Sequence, residues 1–205
     1  MKFEDYKVDN ETITIPRPQN YNDCIELIRS DYYRLKGKNN SFIKLWATTL
    51  RNHSFRYIFW LRLSSHKGFF YPLCKLMYNR CFLKYGINIS PQTPIGYGLY
   101  ISHAFGIIIN PTAVLGNNVN LSQFSTIGSN NGEAAIIGNN VYIGPGVCIV
   151  DQVFIGSNTC IGAGAVVTKN IPMGMTAVGV PARPIGKNIH IDYISNPWLC
   201  NYNRE

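Results

Sequence analysis

Aliphatic side chains recur every six residues through the second half of this chain. Ile89, Ile95, Ile101 and Ile107 are six apart. The phase then slips by two, Ile109, Leu115, Leu121 and Ile127 continue it, and Ile137, Ile143, Ile149, Ile155, Ile161 and Val167 complete fourteen in-phase positions. Such a repeat is too short for a helix pair or a propeller blade. It fits a β-helix, in which each hexapeptide is one short strand and a turn, with the aliphatic side chain inside, stacked on its equivalent one coil away. Glycine often follows the aliphatic residue, as at Gly96, Gly116, Gly138, Gly144, Gly156 and Gly162. Glycine and asparagine suit the corners, where the backbone needs positive φ.

Before Gly86 the texture is helical. YNDCIELIRSDYYRLKG carries an apolar stripe at Ile25, Leu27, Ile28, Tyr32 and Leu35, with Asn22 or Asp23 as the expected N-cap and Gly37 as the stop. Three further helical segments follow to Tyr85, with Ser41 and Ser54 as capping candidates and Gly68 and Gly86 as punctuation. The organisation expected is an N-terminal extension over 1–20, an α-helical domain over 21–85, a β-helix over 86–185 and a C-terminal tail over 186–205. The helices would cover one open end of the β-helix, and the tail the other end or a neighbouring subunit.

The formal net charge is +8, unevenly spread. No acid lies between Asp31 and Glu133, whereas eleven Lys or Arg lie from Arg34 to Lys84. Such a region attracts anions, but no nucleic-acid motif accompanies it, so no nucleic-acid partner is expected. Aromatic and basic residues interleave at Phe55, Arg56, Tyr57, Phe59, Trp60 and Arg62. One reading of 41–85 is peripheral contact with the inner membrane. The preferred one is packing against the next domain. The polar start MKFEDYKVDN does not read as a secretory signal and no apolar run spans a bilayer, so a cytoplasmic protein is expected. Six scattered cysteines form neither CxxC pairs nor a metal-like cluster with histidine, and no metal is expected.

The segments GLYISHAFGIIINPTAVLGNNVNLSQFSTIG (98–128), VYIGPGVCIV (141–150) and IGAGAVVTKNIPMGMTAVGVPARPIG (161–186) resemble the hexapeptide-repeat acyltransferases, in their serine acetyltransferase-like branch. The helical front is similar to that of short members from surface-polysaccharide gene sets. The resemblance implies a mainly β fold, a left-handed parallel β-helix with an N-terminal helical domain. It further implies a homotrimer with active sites between subunits, and acetyl-CoA as acyl donor. It makes His103 the general base, a role that suits an imidazole, because acyl transfer to an alcohol needs a proton acceptor with a pKa near the working pH. His53, His66 and His190 are read as capping or surface residues.

The match to the serine-specific pattern is incomplete. The position that orients the base, an aspartate in those enzymes, is Asn88 here, and the residue just before the base is Ser102. The loop GSNNGEAAIIG lacks the Arg and second His that handle the amino acid. An unpaired buried carboxylate is costly. The acceptor expected on this ground is therefore a hydroxyl or amine of a sugar in surface-polysaccharide synthesis, a small molecule or a glycan. Serine O-acetylation in cysteine biosynthesis is the alternative. Ser102, Gln123 and Glu133 are the candidates for acceptor contact. For acetyl-CoA the candidates are Gly144, Ala163, Thr168, Lys169, Arg183 and Lys187.

Overall fold

The computed structural model describes residues 1–8, 10–130 and 132–199. The chain opens with an antiparallel hairpin, β1 (Lys2–Val8) and β2 (Glu11–Arg17), where the sequence suggested only an extension. Four helices follow: α1 (Tyr21–Lys36), α2 (Phe42–Arg51), α3 (His53–Leu63) and α4 (Tyr71–Tyr85). From Asn88 onward short strands wind into a parallel β-helix with three walls.

The first wall stacks Asn88–Ile89, Ile108–Ile109, Thr126–Gly128, Cys148–Val150 and Val166–Val167. The second stacks Tyr100–Ile101, Asn120–Leu121, Tyr142–Ile143, Cys160–Ile161 and Met175–Val178. The third stacks Val114–Leu115, Ile136–Ile137 and Phe154–Ile155. In-phase aliphatics therefore meet their own kind in adjacent coils. Ile101, Leu121, Ile143 and Ile161 form one buried column, and Ile109, Ile127, Ile149 and Val167 another. Each such side chain contributes about 1.5–3 kcal/mol by burial.

The phase slip has a structural meaning. Ile101 pairs with Leu121 and Ile109 with Ile127, so the corner between Ile101 and Ile109 holds two more residues than the corner below it. That enlarged corner is Ser102–Ile108, which contains His103. At the corner between the third and second walls, Asn118, Asn140 and Asn158 take φ of 58°, 55° and 58°. Their amides form a ladder, Asn118 donating to Asn140 and Asn140 to Asn158, each at 3.0 Å.

The helices close the first coil. Tyr57, Ile58 and Leu61 of α3 and Tyr78, Cys81 and Tyr85 of α4 share one core with Ile87, Ile89 and Ile101. The N-cap of α1 is Asn20, which accepts from the Asp23 amide, rather than Asn22 or Asp23. Asp23 sits one turn in, and its carboxylate accepts from the amide of Gln19, the residue before the cap. Ser41 makes no capping bond. Asn52, not Ser54, caps α3, which leaves Ser54 for another task.

Two of the eleven cations counted as an anion-attracting face are buried. Arg62 pairs with Asp31 through two bonds, at 2.9 and 3.0 Å, and its remaining N–H groups donate to the Ile95 and Gly96 carbonyls. Arg34 donates to the carbonyls of Gly98 and Ser195 and to the amide oxygen of Asn120, and burial pulls it down to about 10. These bonds fasten α1 and α3 to the first coil. The tail neither caps the far end nor leaves the subunit over the described residues. Arg183–Lys187 turns back antiparallel on Met175–Val178, and residues 188–199 run down the second wall to α1, where Trp198 bonds Asn118 and Asn196 bonds the Arg34 carbonyl. The remainder of the tail, 200–205, lies outside the described residues. No described helix is long and apolar enough to cross a membrane.

Candidate active site

His103 takes φ of 51°, a left-handed conformation that costs a non-glycine residue about 1–3 kcal/mol and persists only where the surroundings hold it. The hold comes from α3: the next amide, Ala104 N–H, donates to Ser54 Oγ at 3.3 Å. The first turn of a helix thus pins the enlarged corner, and the imidazole is exposed. It lines a hollow of about 690 Å³ with Tyr100, Ser102, Phe105 and Gln123 on the β-helix side. The roof is helical: Arg51 and Asn52 end α2, His53 and Ser54 begin α3, and Lys84 and Tyr85 end α4. Among the described residues no acid lines the hollow.

From this hollow a single edge of small residues rises along the β-helix. Phe124 N–H donates to the Phe105 carbonyl, Gly146 N–H to Gln123 and Gly164 N–H to Pro145, at 2.8–3.0 Å. Corner after corner therefore stacks in one column, and at about 4.8 Å per coil Ala163 lies roughly 14 Å from the His103 corner. Ala163 is exposed, and a Cβ built on Gly146 or Gly164 would meet nothing within 4 Å. Above the exposed rings of Phe105 and Phe124 at its foot, the edge around Gly146, Ala163 and Gly164 is open and nearly free of side chains, which suits a long flexible arm laid against backbone. Beyond it, Ala182 N–H donates to the Val166 carbonyl and Arg183 pairs with Val178, so Arg183 stands one coil past Ala163.

The predicted site residues divide accordingly. His103, Ser102, Gln123, Ala163 and Arg183 share this edge. Gly144 belongs to the same corner but is buried, and a Cβ there would lie 2.8 Å from the Ala163 amide nitrogen; its work is the close approach of two coils, not cofactor contact. Asn88 is exposed on the first wall opposite Ile108, and it is not among the residues that line the hollow. Thr168 and Lys169 occupy the corner between the first and third walls. Lys187 lies beside Met175 at the opposite end of its strand from Arg183. Glu133 lines a different hollow, near the hairpin, with Tyr6, Arg17 and Gln152. His53, read from sequence as a capping or surface residue, lines the same hollow as His103. Among the described residues there is no group of His, Cys, Asp or Glu that could hold a metal ion.

The six-residue β-helix is similar to that of hexapeptide-repeat transferases. Residues 134–169 match the family described as bacterial transferase hexapeptide (six repeats). The chain carries the repeats of that family and has serine acetyltransferase homologues. It is 41% identical over 115 residues to chloroplastic serine acetyltransferase 1 of Arabidopsis thaliana, covering 54% of this chain and 37% of that protein. To serine acetyltransferase of Escherichia coli K12 it is 36% identical over 119 residues, 56% of this chain and 44% of that protein. The chain thus spans less than half the length of these curated relatives. Among solved structures, Neisseria gonorrhoeae serine acetyltransferase in complex with serine superposes with a TM-score of 0.68 at 29% identity, over 80% of this chain and 70% of that one. A serine acetyltransferase in complex with CoA gives 0.65 at 25%, over 80% and 70%. These relatives overturn the expected sugar acceptor and surface-polysaccharide role, because the similarity runs to enzymes named for serine. In this subunit Glu133, Ala134 and Ile136 of the loop that lacks the Arg and second His line a hollow separate from that of His103.

Proposed function

We propose that this chain is an acetyl-CoA-dependent serine O-acetyltransferase. The observation that carries the reading is the hollow at His103, opening onto an edge of small residues, in a chain similar to serine acetyltransferases over 115 residues. Acetyl-CoA supplies an activated acetyl thioester. Ala163 and the glycine corners would lie against its arm, and Arg183 against a phosphate, since a guanidinium matches phosphate oxygens in a two-pronged geometry. His103 takes the proton from the serine hydroxyl as the oxygen attacks the acetyl carbon, then returns it to the departing sulfur. The alcohol thus leaves as an ester and the CoA as a thiol, with the imidazole neutral again. Lys169 and Lys187 would reach a cofactor only across a subunit boundary. A homotrimer with sites between β-helices fits that need. The hairpin covers the third wall and the tail the second, which leaves the first wall, with Ile108, Thr126 and Cys148 outward, free to pack.

The test is acetyl-CoA consumption with L-serine, read by mass spectrometry as O-acetylserine, alongside the solution mass by light scattering. Serine-dependent turnover is expected. An acceptor panel in which serine is ignored overturns the reading.

A further inference from the structure

Serine carries a carboxylate that the 129–136 loop does not meet in this subunit, because Glu133 and Ala134 line the separate hollow beside the hairpin. The hydroxyl and carboxylate of serine are only a few bonds apart, so whatever holds the carboxylate must share the hollow of the base. The basic side chains that share it with His103 are Arg51, His53 and Lys84. All three come from helix ends, and their backbone is held. Arg56 donates to the Thr49 and Leu50 carbonyls in the last turn of α2 and to Tyr85 Oη at the end of α4, fixing Arg51 and Lys84 relative to each other. Ser54 ties the start of α3 to the residue after His103, so His53 and His103 flank one hydrogen bond. The His53 ring lies 5.8 Å from that of Tyr85. No acid lies between Asp31 and Glu133 in sequence, and none lines the hollow to neutralise these cations.

We propose that Arg51, with Lys84 and His53 beside it, binds the acceptor's carboxylate, so that the helical module supplies the amino-acid specificity that the 129–136 loop lacks. The proposal rests on the serine reading above. A planar guanidinium at the mouth of the hollow offers a carboxylate two parallel N–H bonds, and Lys84 adds a point charge. The juxtaposition also gives the enlarged corner and its Ser54 pin a purpose: they bring the base under the cationic roof.

The experiment compares wild type with R51Q, K84Q and the double variant, using L-serine and serinamide as acceptors. Both substitutions fall on exposed side chains, and circular dichroism checks the fold. Loss of a charged hydrogen bond should raise the KM for serine about 10- to 100-fold, with the KM for acetyl-CoA and kcat at saturating serine unchanged. Serinamide, which lacks the carboxylate, should be used poorly by the wild type and equally poorly, within about twofold, by the variants. A serine KM unmoved in R51Q and K84Q overturns the clamp while leaving serine as substrate. Equal losses toward serine and serinamide make Arg51 a structural residue and overturn it too. A wild type that ignores serine removes the underlying reading and the clamp with it.

Discussion

Replacing Asp31 by alanine tests how the helical module is fastened to the β-helix. Asp31 and Arg62 are both buried, with side-chain exposures of 0% and 5%. Removing the carboxylate strands a guanidinium that keeps only the Ile95 and Gly96 carbonyls. Breaking such a pair from one side costs about 3–5 kcal/mol. The Leu99 amide, which donates to Asp31 Oδ1 at 2.7 Å, loses its acceptor as well, for about 1 kcal/mol more. Asp31→Ala should therefore lose about 4–6 kcal/mol, a large part of the 5–15 kcal/mol typical of a folded domain. Urea unfolding followed by circular dichroism reads this as a midpoint lowered by about 2–3 M at a slope near 2 kcal/mol per M. Protein concentration must be fixed, because assembly adds to apparent stability. Arg62→Ala and the double variant complete a cycle in which the double loses at least about 2 kcal/mol less than the sum of the singles. A loss under about 1 kcal/mol, the value of an exposed pair, or strictly additive singles, would refute the reasoning.

Other consequences can be measured directly. His103→Ala should lower kcat by about 10²- to 10⁴-fold while the protein stays folded and still binds acetyl-CoA by calorimetry; near wild-type turnover would remove His103 as base. Ala163→Glu places a bulky anion on the open edge and should raise the KM for acetyl-CoA at least about tenfold with the KM for serine unmoved, read by steady-state kinetics. The helices also turn Ile43, Trp46, Leu73 and Leu76 to solvent, with Lys44 and Arg80 exposed near them. We therefore propose contact with an anionic bilayer. The protein should sediment with phosphatidylcholine vesicles containing phosphatidylglycerol at low salt, and Trp46→Ser or 1 M salt should release it, since charges are then screened beyond about 3 Å. Equal binding to neutral vesicles, or none to either, would exclude that contact.

The β-helix was legible because its signal is local and repeated. A side chain that must point inward every six residues writes its period into the chain, and corners needing positive φ select glycine and asparagine. The ending at 161–186 and HAFG pointed to the edge and to His103 only through their resemblance to a known family. Even the phase slip at Ile107–Ile109 was visible, though its meaning, a corner enlarged around His103, required the pairing register. What the sequence could not yield is whatever depends on which surfaces meet. Arg34 and Arg62 read as part of a basic face, yet their partners are carbonyls and carboxylates more than 30 residues away, and burial depends on those partners. Glu133 is an acceptor candidate in the sequence, but coil geometry turns it and His103 toward different hollows. Arg51 and His53 lie two residues apart, at the end of one helix and the beginning of the next. Only the docking of α2, α3 and α4 on the first coil brings them above the base, because that proximity comes from packing between elements and leaves no periodic trace along the chain.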